Sequence, residues 1–379
     1  MRIVQLANLV TATSGGIRTY LDRTGAGYAA AGHERHLVVP GAHRRRVPGP
    51  GGTVTTLPGW AIPRSGGYRL LVDRAAVVRV LEELEPDTVE VNDRWSLGWV
   101  GPWARARGVR AVLVAHERLD ATVATWLPVG GRAVVARLDR ALVGVDAVVA
   151  PSRHAAAGLP VPATVVPFGV DLERFRPRPR RGEDQGPLRL LVVGRLSREK
   201  RVERAVDALV ELRRRGVAAS LTVAGDGPER RRLERHGRGA PIHWRGHLGS
   251  RRTLAAVVAS ADVLLAPCEI ETFGLAALEA LASGVAVATV DGGAIRELLV
   301  GEPVAGAVGA VSGVGLADAV ERLVVRPRSV RRQAARQLAE GYGWDQTVAR
   351  MLEVHGATSP ATLRTAVEPP MDGVAVPRW

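Results

Sequence analysis

The 379-residue chain has one cysteine, Cys268, and one lysine, Lys200, although lysine and arginine together number 52. A lone cysteine excludes an intramolecular disulfide framework and a cysteine-built zinc cluster. A reducing, cytoplasmic setting is the expectation that follows. Aromatic residues make up only 4% of the chain, which is poor material for the stacking platforms of single-strand binders. No nucleic-acid-binding motif is present either. No uncharged apolar run reaches the roughly 18 residues that a spanning helix needs. The longest candidate, Pro303 to Ala317, is rich in glycine and reads as loop and turn. The opening Met1-Arg2-Ile3-Val4-Gln5-Leu6-Ala7 runs directly into a strand-like segment, without the h-region and cleavage site of a signal peptide. The expectation is a soluble protein, or one peripheral to a membrane.

What is present is ordinary for a globular chain: 46% hydrophobic and 24% charged residues. At about 150 residues per domain the length implies two or three domains, large enough to bury cores without staples. The 52 basic and 38 acidic residues leave a net charge of +14. Such an excess suits nucleic acid, an acidic membrane or phosphorylated ligands without choosing among them, and much of it needs no partner beyond water.

Short β-branched runs alternate with longer amphipathic stretches, the pattern of βα units on a parallel sheet. Strands are predicted at 3–7, 36–39, 54–57, 88–91, 111–115, 147–150 and 164–166, with helices at 17–31, 73–84 and 131–143 among others. The rhythm restarts with strands at 190–193, 221–224, 242–244, 263–266 and 285–289 and helices such as 202–215 and 275–282. Between the halves, residues 168–187 are dense in Pro, Gly and charge, which marks a linker. The predicted fold class is α/β: two doubly wound domains, 1–167 and 188–340, facing a central cleft. Ligands of such sheets bind at the loops that follow the strands. The last 22 positions, 358–379, have no periodicity and are predicted to be disordered.

After the first strand, Ser14-Gly15-Gly16-Ile17 opens a helix. Glycines there let backbone N–H groups approach a phosphate at the positive helix end, though a plain tight turn fits as well. The dinucleotide fingerprint G-x-G-x-x-G is absent, which argues against a nicotinamide dehydrogenase. The second half opens with Gly194-Arg195-Leu196-Ser197-Arg198-Glu199-Lys200 at a strand exit. Arg195 and Lys200 can neutralise a diphosphate without a metal, and an ammonium point charge is not interchangeable with a guanidinium. Ala224-Gly225-Asp226-Gly227-Pro228 reads as a turn and helix start. In Glu271-Thr272-Phe273-Gly274-Leu275-Ala276-Ala277-Leu278-Glu279 two carboxylates lie eight positions apart, just over two helical turns. The free amides of Phe273, Gly274 and Leu275 offer donors to sugar or phosphate oxygens. Glu279, on an otherwise apolar helix, is costly to bury unless paired or bound to hydroxyls; a solvent-facing Glu279 and a capping Glu271 are the alternative.

The 194–200 loop, the Glu271–Glu279 pair and Val166-Pro167-Phe168-Gly169-Val170-Asp171 together resemble glycosyltransferase family 4, over residues 2–355 and in the same order. Ser14-Gly15-Gly16-Ile17-Arg18-Thr19-Tyr20 and Ala115-His116-Glu117-Arg118-Leu119-Asp120 further resemble actinobacterial α-mannosyltransferases that elongate phosphatidylinositol mannosides. Phe168 stands where many relatives carry Asn, and Cys268-Glu269-Ile270 stand where small residues are commoner. The resemblance implies the GT-B fold, two Rossmann-like domains with a C-terminal helix (341–357) crossing back to the first. It implies retaining, metal-independent transfer, most simply of mannose from GDP-mannose to a glycolipid, with no cofactor beyond that co-substrate. By resemblance His116 sits beside the donor sugar, Arg118 assists an acceptor phosphate, and Glu271 orients the sugar with the 273–275 amides. Arg195, Lys200 and the Gly15–Gly16 backbone meet the leaving diphosphate, and Glu279 meets the ribose. A UDP-sugar-dependent enzyme acting on a soluble metabolite, and more remotely a basic nucleic-acid-binding protein, stay open. His43-Arg44-Arg45-Arg46, after a first-half strand, is the candidate contact to an anionic membrane at the inner face of the plasma membrane, or a solvated loop with no partner.

Overall fold

A computed structural model describes residues 1–11, 15–63, 65, 67–127, 130–179 and 186–357. Ser14, positions 180–185 of the linker and the whole 358–379 tail lie outside the described residues. The chain forms two parallel sheets. From edge to edge the first runs Thr164–Val165, Ala147–Ala150, Arg110–Val114, Thr88–Val91, Arg2–Leu6, Glu34–Gly41, Gly52–Pro58 and Arg45–Gly49. All neighbours are parallel except the last pair. The second is parallel throughout: Ile242–Gly246, Ala219–Ala224, Leu188–Val193, Val263–Ala266, Ala286–Val290 and Gly306–Gly309. Helices cover both faces, so inner strands such as Val-Leu-Leu-Ala at 263–266 are buried at every position. This is why they read as unbroken apolar runs rather than alternating ones.

In each sheet the chain starts at a central strand and winds outward in both directions. Arg2–Leu6 lies between Glu34–Gly41 and Thr88–Val91, and Leu188–Val193 lies between Ala219–Ala224 and Val263–Ala266. These are the switch points at which doubly wound sheets open a crevice. The segments that leave them begin at residues 7–11 and 194–200.

The linker is not a loose tether where it is described. Phe168, Val170 and Phe175 are buried, Asp171 pairs with Arg23, and the Arg336 guanidinium donates to the carbonyls of Leu172, Phe175 and Ala282. The last helix, Trp344–Val354, packs on helix Gly16–Ala30 of the first half. Thr347 Oγ1 donates to the Pro167 carbonyl (2.8 Å) and Arg110 Nε to that of Val354 (2.8 Å).

Two expectations are corrected. Residues 303–317 are not loop: they hold the edge strand Gly306–Gly309 and the start of helix Gly313–Val324, capped by Ser312. Their glycines serve close packing, since a Cβ on Gly309 would lie 1.8 Å from the Gly315 carbonyl oxygen. Glycine content that argues for a loop in isolation is here the condition for the contact. The basic run is a loop only in its first half, His43 and Arg44, which connect two strands. Arg45 and Arg46 start an antiparallel edge strand, while Arg44 is paired with Glu83 at 2.9 Å. The short hairpin Trp60–Ala61 with Arg69–Leu70 was too brief to leave a periodic signal.

Gly27 marks the closest approach of the two helices: a Cβ there would lie 2.3 Å from Val348 Cγ2. Ala is favoured over Gly inside a helix by about 1 kcal/mol, whereas overpacking costs about 1–3 kcal/mol. With contacts as short as 2.3 Å the cost falls in the upper part of that range, so Gly27→Ala is expected to lower stability by about 1–2 kcal/mol net, read as a lower midpoint in urea unfolding.

Candidate active site

On the second sheet, Gly194 leaves its strand against Gly225. A Cβ on Gly225, whose φ is +155°, would sit 1.8 Å from the Gly194 carbonyl oxygen, and one on Gly227 2.3 Å from that of Leu196. The Ala224–Pro228 turn is thus the bed on which the 194–200 loop lies, held by Leu196 N–H to Asp226 O (3.0 Å) and Glu229 N–H to Leu196 O (3.0 Å). The loop carries Lys200 to Glu271, and Nζ donates to Oε2 at 2.7 Å. Burial disfavours both charges, but their mutual attraction prevails: Glu271 is held below the usual carboxylate range and Lys200 above the usual ammonium range. The side chains remain 34% and 21% exposed, so solvent screens the pair and it adds little stability. Its value is position. Burial pushes the neighbouring Cys268 thiol up to about 11, which keeps it neutral and unreactive.

Glu271 precedes helix Leu275–Ala282, whose N-cap Gly274 has φ +91° and supplies no side-chain cap. Across the cleft, helix Gly16–Ala30 also begins at a glycine, Gly15, with no side-chain cap. The two helix starts are close, because a Cβ on Gly16 would lie 3.6 Å from Leu275 Cδ1. Two positive helix ends with side-chain-free caps converge beside the Lys200 ammonium, an arrangement suited to anionic oxygens.

His116 follows strand Arg110–Val114 and joins the sheets. Its Nε2 lies 2.7 Å from Asn92 Oδ1, and its ring meets Tyr20 edge-on with centroids 5.0 Å apart. Phe168 stands between His116 (5.6 Å) and Phe273 (5.2 Å), so it links the two domains. Thr272 Oγ1 donates to the His116 carbonyl (2.9 Å), and Ser152 Oγ donates to the Thr272 carbonyl (2.7 Å). Burial pushes His116 down to about 4, against the opposing field of Glu90; the ring is neutral at physiological pH.

The remaining candidates are engaged. Arg195 crosses to the first domain, donating to the Ser65 carbonyl (2.6 Å) with its guanidinium 4.7 Å from the centre of the Tyr68 ring. Arg118 is held bidentate by Asp120 (2.8 and 2.6 Å) and donates to the His154 carbonyl, so its charge is already met. Glu279 does not face solvent. Its side chain is 6% exposed and accepts from Arg251 Nη2 at 2.7 Å; burial pushes its carboxyl up although Arg251 opposes this. Among the described residues, no three His, Cys, Asp or Glu side chains are grouped as a metal site requires.

Sequence reasoning missed Asn92, Tyr68, Arg251 and the bridging role of Thr272. Asn92 had a readable signal, since it directly follows a strand that contains a glutamate, Glu90. Arg251, 28 positions from Glu279, had none.

Lys200→Ala is expected to reduce sugar transfer on the order of a hundredfold or more, the scale of losing one preorganised charge stabiliser. Lys200→Arg should also be poor, because the fork cannot place its charge at the same point. Initial rates on variants with unchanged thermal unfolding check both.

The profile of "Glycosyltransferase Family 4" matches residues 14–174 and that of "Glycosyl transferases group 1" residues 187–325. The chain is 42% identical over 377 residues to a GDP-mannose-dependent alpha-(1-6)-phosphatidylinositol dimannoside mannosyltransferase of Mycobacterium tuberculosis, covering 96% of this chain and 98% of that one. It is 31% identical to a GDP-mannose-dependent alpha-mannosyltransferase of the same species, covering 83% and 85%. Among solved structures it resembles a sucrose-phosphate synthase of Thermosynechococcus elongatus, with a TM-score of 0.77 at 20% identity over 94% of this chain and 98% of that one. The facing Rossmann-like sheets and the identity sustained along both whole chains lead to one conclusion: the chain belongs to glycosyltransferase family 4 and is a glycosyltransferase of the GT-B fold.

Proposed function

We propose that the chain transfers mannose from GDP-mannose, with retention and without a metal ion, to a glycolipid of the phosphatidylinositol mannoside class at a membrane surface. The observation that carries this reading is the 42% identity, over 96% of the chain, to an enzyme described as acting with that donor on phosphatidylinositol dimannoside.

The cleft supports the reading chemically. The donor diphosphate takes the place beside Lys200 and the two glycine-capped helix starts, where leaving-group charge meets a cation and two positive helix ends. Arg195 joins them on leaving the Ser65 carbonyl. Glu271, fixed by Lys200, and the 273–275 amides orient the sugar, which His116 contacts from the first domain. Glu279, anchored by Arg251, accepts from ribose hydroxyls. Among the described residues no side chain stands out as a glycosyl nucleophile. The acceptor hydroxyl therefore attacks the anomeric carbon from the face that the diphosphate leaves, and its proton passes to the departing phosphate oxygen. The carbon–oxygen bond to the diphosphate breaks as the new glycosidic bond forms on the same face. Closing the domains expels water and suppresses donor hydrolysis.

At the membrane, Arg45 and Arg46 are exposed on their edge strand. At about 1 kcal/mol per basic residue near an anionic leaflet, these two supply about 2 kcal/mol, since Glu83 already satisfies Arg44. Trp60, 54% exposed on the neighbouring hairpin, adds shallow insertion. No helix among the described residues is long and apolar enough to cross a membrane, so the acceptor must be met at a surface.

In a panel of GDP- and UDP-sugars, GDP-mannose with phosphatidylinositol dimannoside is expected to give the fastest transfer, undiminished by EDTA and with the α-configuration retained by NMR of the product. A UDP-sugar preference would replace the reading. Liposome co-sedimentation is expected to require anionic lipid, to weaken at high salt and to be lost in the double variant Arg45→Glu, Arg46→Glu; binding indifferent to lipid charge would remove the membrane contact.

A further inference from the structure

Beneath His116 the first sheet buries a chain of polar side chains in which each orientation dictates the next. It starts from Arg35, fully buried, whose guanidinium can only donate. Arg35 Nε donates to Gln5 Oε1 (2.8 Å), so the Gln5 amide turns its NH₂ to Glu90 Oε1 (2.9 Å). The same oxygen accepts from Asn92 Nδ2 (3.0 Å). Glu90 Oε2 accepts from Tyr28 (2.9 Å) and faces His355 Nε2 at 3.1 Å. Both side chains of the Glu90–His355 pair have no solvent exposure. Four donors thus fill the lone-pair positions of one carboxylate. Burial alone would push the Glu90 carboxyl up, but the His355, Asn92 and Gln5 contacts outweigh it and hold it below its ordinary value.

An ionised Glu90 accepts only, so the Asn92 amide must present its NH₂ to Glu90 and its oxygen to His116. That oxygen lies 2.7 Å from His116 Nε2. A neutral imidazole beside a carbonyl-type acceptor carries its proton on the facing nitrogen. The proton is therefore on Nε2, and Nδ1 is left with a lone pair for a hydroxyl donor. We propose that Glu90 and Asn92 are positioning residues that hold His116 as the Nε2–H tautomer, and that His355, delivered by the last helix, completes the donor set on which this orientation depends. The C-terminal helix is then part of the transfer machinery and not only of the packing. The inference rests on the reading of His116 as a sugar contact.

His355 reaches Glu90 from the end of helix Trp344–Val354, where its Nδ1 lies 2.9 Å from Thr88 Oγ1 and its ring meets Tyr28 edge-on at 5.7 Å. The titratable groups facing Glu90 are Tyr20 and Tyr28 from helix Gly16–Ala30, Arg35 from strand Glu34–Gly41, His116 beyond Asn92, and His355. Tyr28 is already engaged at Oε2 and the Tyr20 hydroxyl also bears on Glu90, but neither supplies the attraction that His355 adds to its hydrogen bond. Removing that donor leaves burial less opposed and raises the Glu90 carboxyl. Once protonated, Glu90 becomes a donor, the reason for the Asn92 orientation is gone, and His116 no longer has a fixed tautomer. Activity that is level at neutral pH in the wild type then acquires an acid limb, falling as pH drops through the raised Glu90 value.

The test uses the full chain labelled with ¹⁵N-histidine, the His116 resonances being assigned through His116→Gln. Long-range ¹H–¹⁵N correlation reads the tautomer without substrate. Wild-type His116 is expected as Nε2–H from about pH 5.5 to 8, where an ordinary histidine changes charge. In Asn92→Leu and His355→Phe the tautomers are expected to mix, and turnover at saturating donor to fall about tenfold or more, as happens when a catalytic imidazole loses its orienting partner. Donor KM should move less than turnover, and His355→Phe should add the acid limb. His355→Phe keeps a ring against Tyr28, and should either variant fail to fold, the wild-type tautomer still decides. Wild-type His116 protonated on Nδ1, wild-type turnover in both variants, or lost turnover with an unchanged His116 tautomer each overturns the proposal. Undiminished transfer by His116→Ala would bring down the sugar-contact reading instead, a result separable because the tautomer signal needs no substrate.

Discussion

A carboxylate shut away from water has to be surrounded by donors, and Glu90, in the middle of the first sheet with no exposed surface, sets that requirement for the whole molecule. The donors come from the first strand, the first helix, the residue after its own strand, and His355, 265 positions away in sequence. Leaving a buried charge without a partner costs about 3–5 kcal/mol, a large part of a typical net stability of about 5–15 kcal/mol. The chain therefore has to return to its first sheet after completing its second. The crossing helix makes that return, and on its way it bonds the described part of the linker through Tyr342 to Val170 and Thr347 to Pro167.

The cleft shows the same economy of charge at partial exposure. Neither of its two candidate diphosphate cations stands free. Lys200 is held by Glu271 and Arg195 by the Ser65 carbonyl and the Tyr68 ring. On the proposed function this is preorganisation: the ligand meets charges already aimed, instead of flexible chains that must be ordered on binding. The Arg195 contact joins the domains through a first-domain hairpin loop, and Thr272 joins them again at His116 and Ser152. If the proposed transfer involves domain closure, these are the contacts it would exchange.

Much of the architecture was legible. Strands Ala147–Ala150 and Val263–Ala266 and helix Leu275–Ala282 lie where the apolar runs put them, because a strand buried on both faces favours apolar residues at every position, and Thr88–Val91 lies where it was read although it buries Glu90. The reading failed where glycine and charge mislead. Residues 303–317 looked like a loop because glycine has low intrinsic propensity, yet the Gly309–Gly315 contact admits no Cβ. Arg45 and Arg46 looked like a continuation of the loop because edge strands tolerate exposed charge, and Arg45–Gly49 is such an edge.

What the sequence determined by itself is the succession of elements and the chemistry at their ends: glycines where backbone must approach backbone, a unique lysine at a strand exit, two carboxylates about two helical turns apart. Local propensity and hydrophobic period act over a few residues and suffice for that. The partners of those side chains were decided only by tertiary structure. That Lys200 meets Glu271, that Glu279 is buried against Arg251 instead of facing water, and that Asn92 stands between Glu90 and His116 all depend on which loops two twisted sheets bring together. Such contacts join residues 24 to 71 positions apart, a range over which no periodicity in the sequence carries information, while the cost of burying a charge demands a partner for Glu90 and Glu279 once the fold has formed.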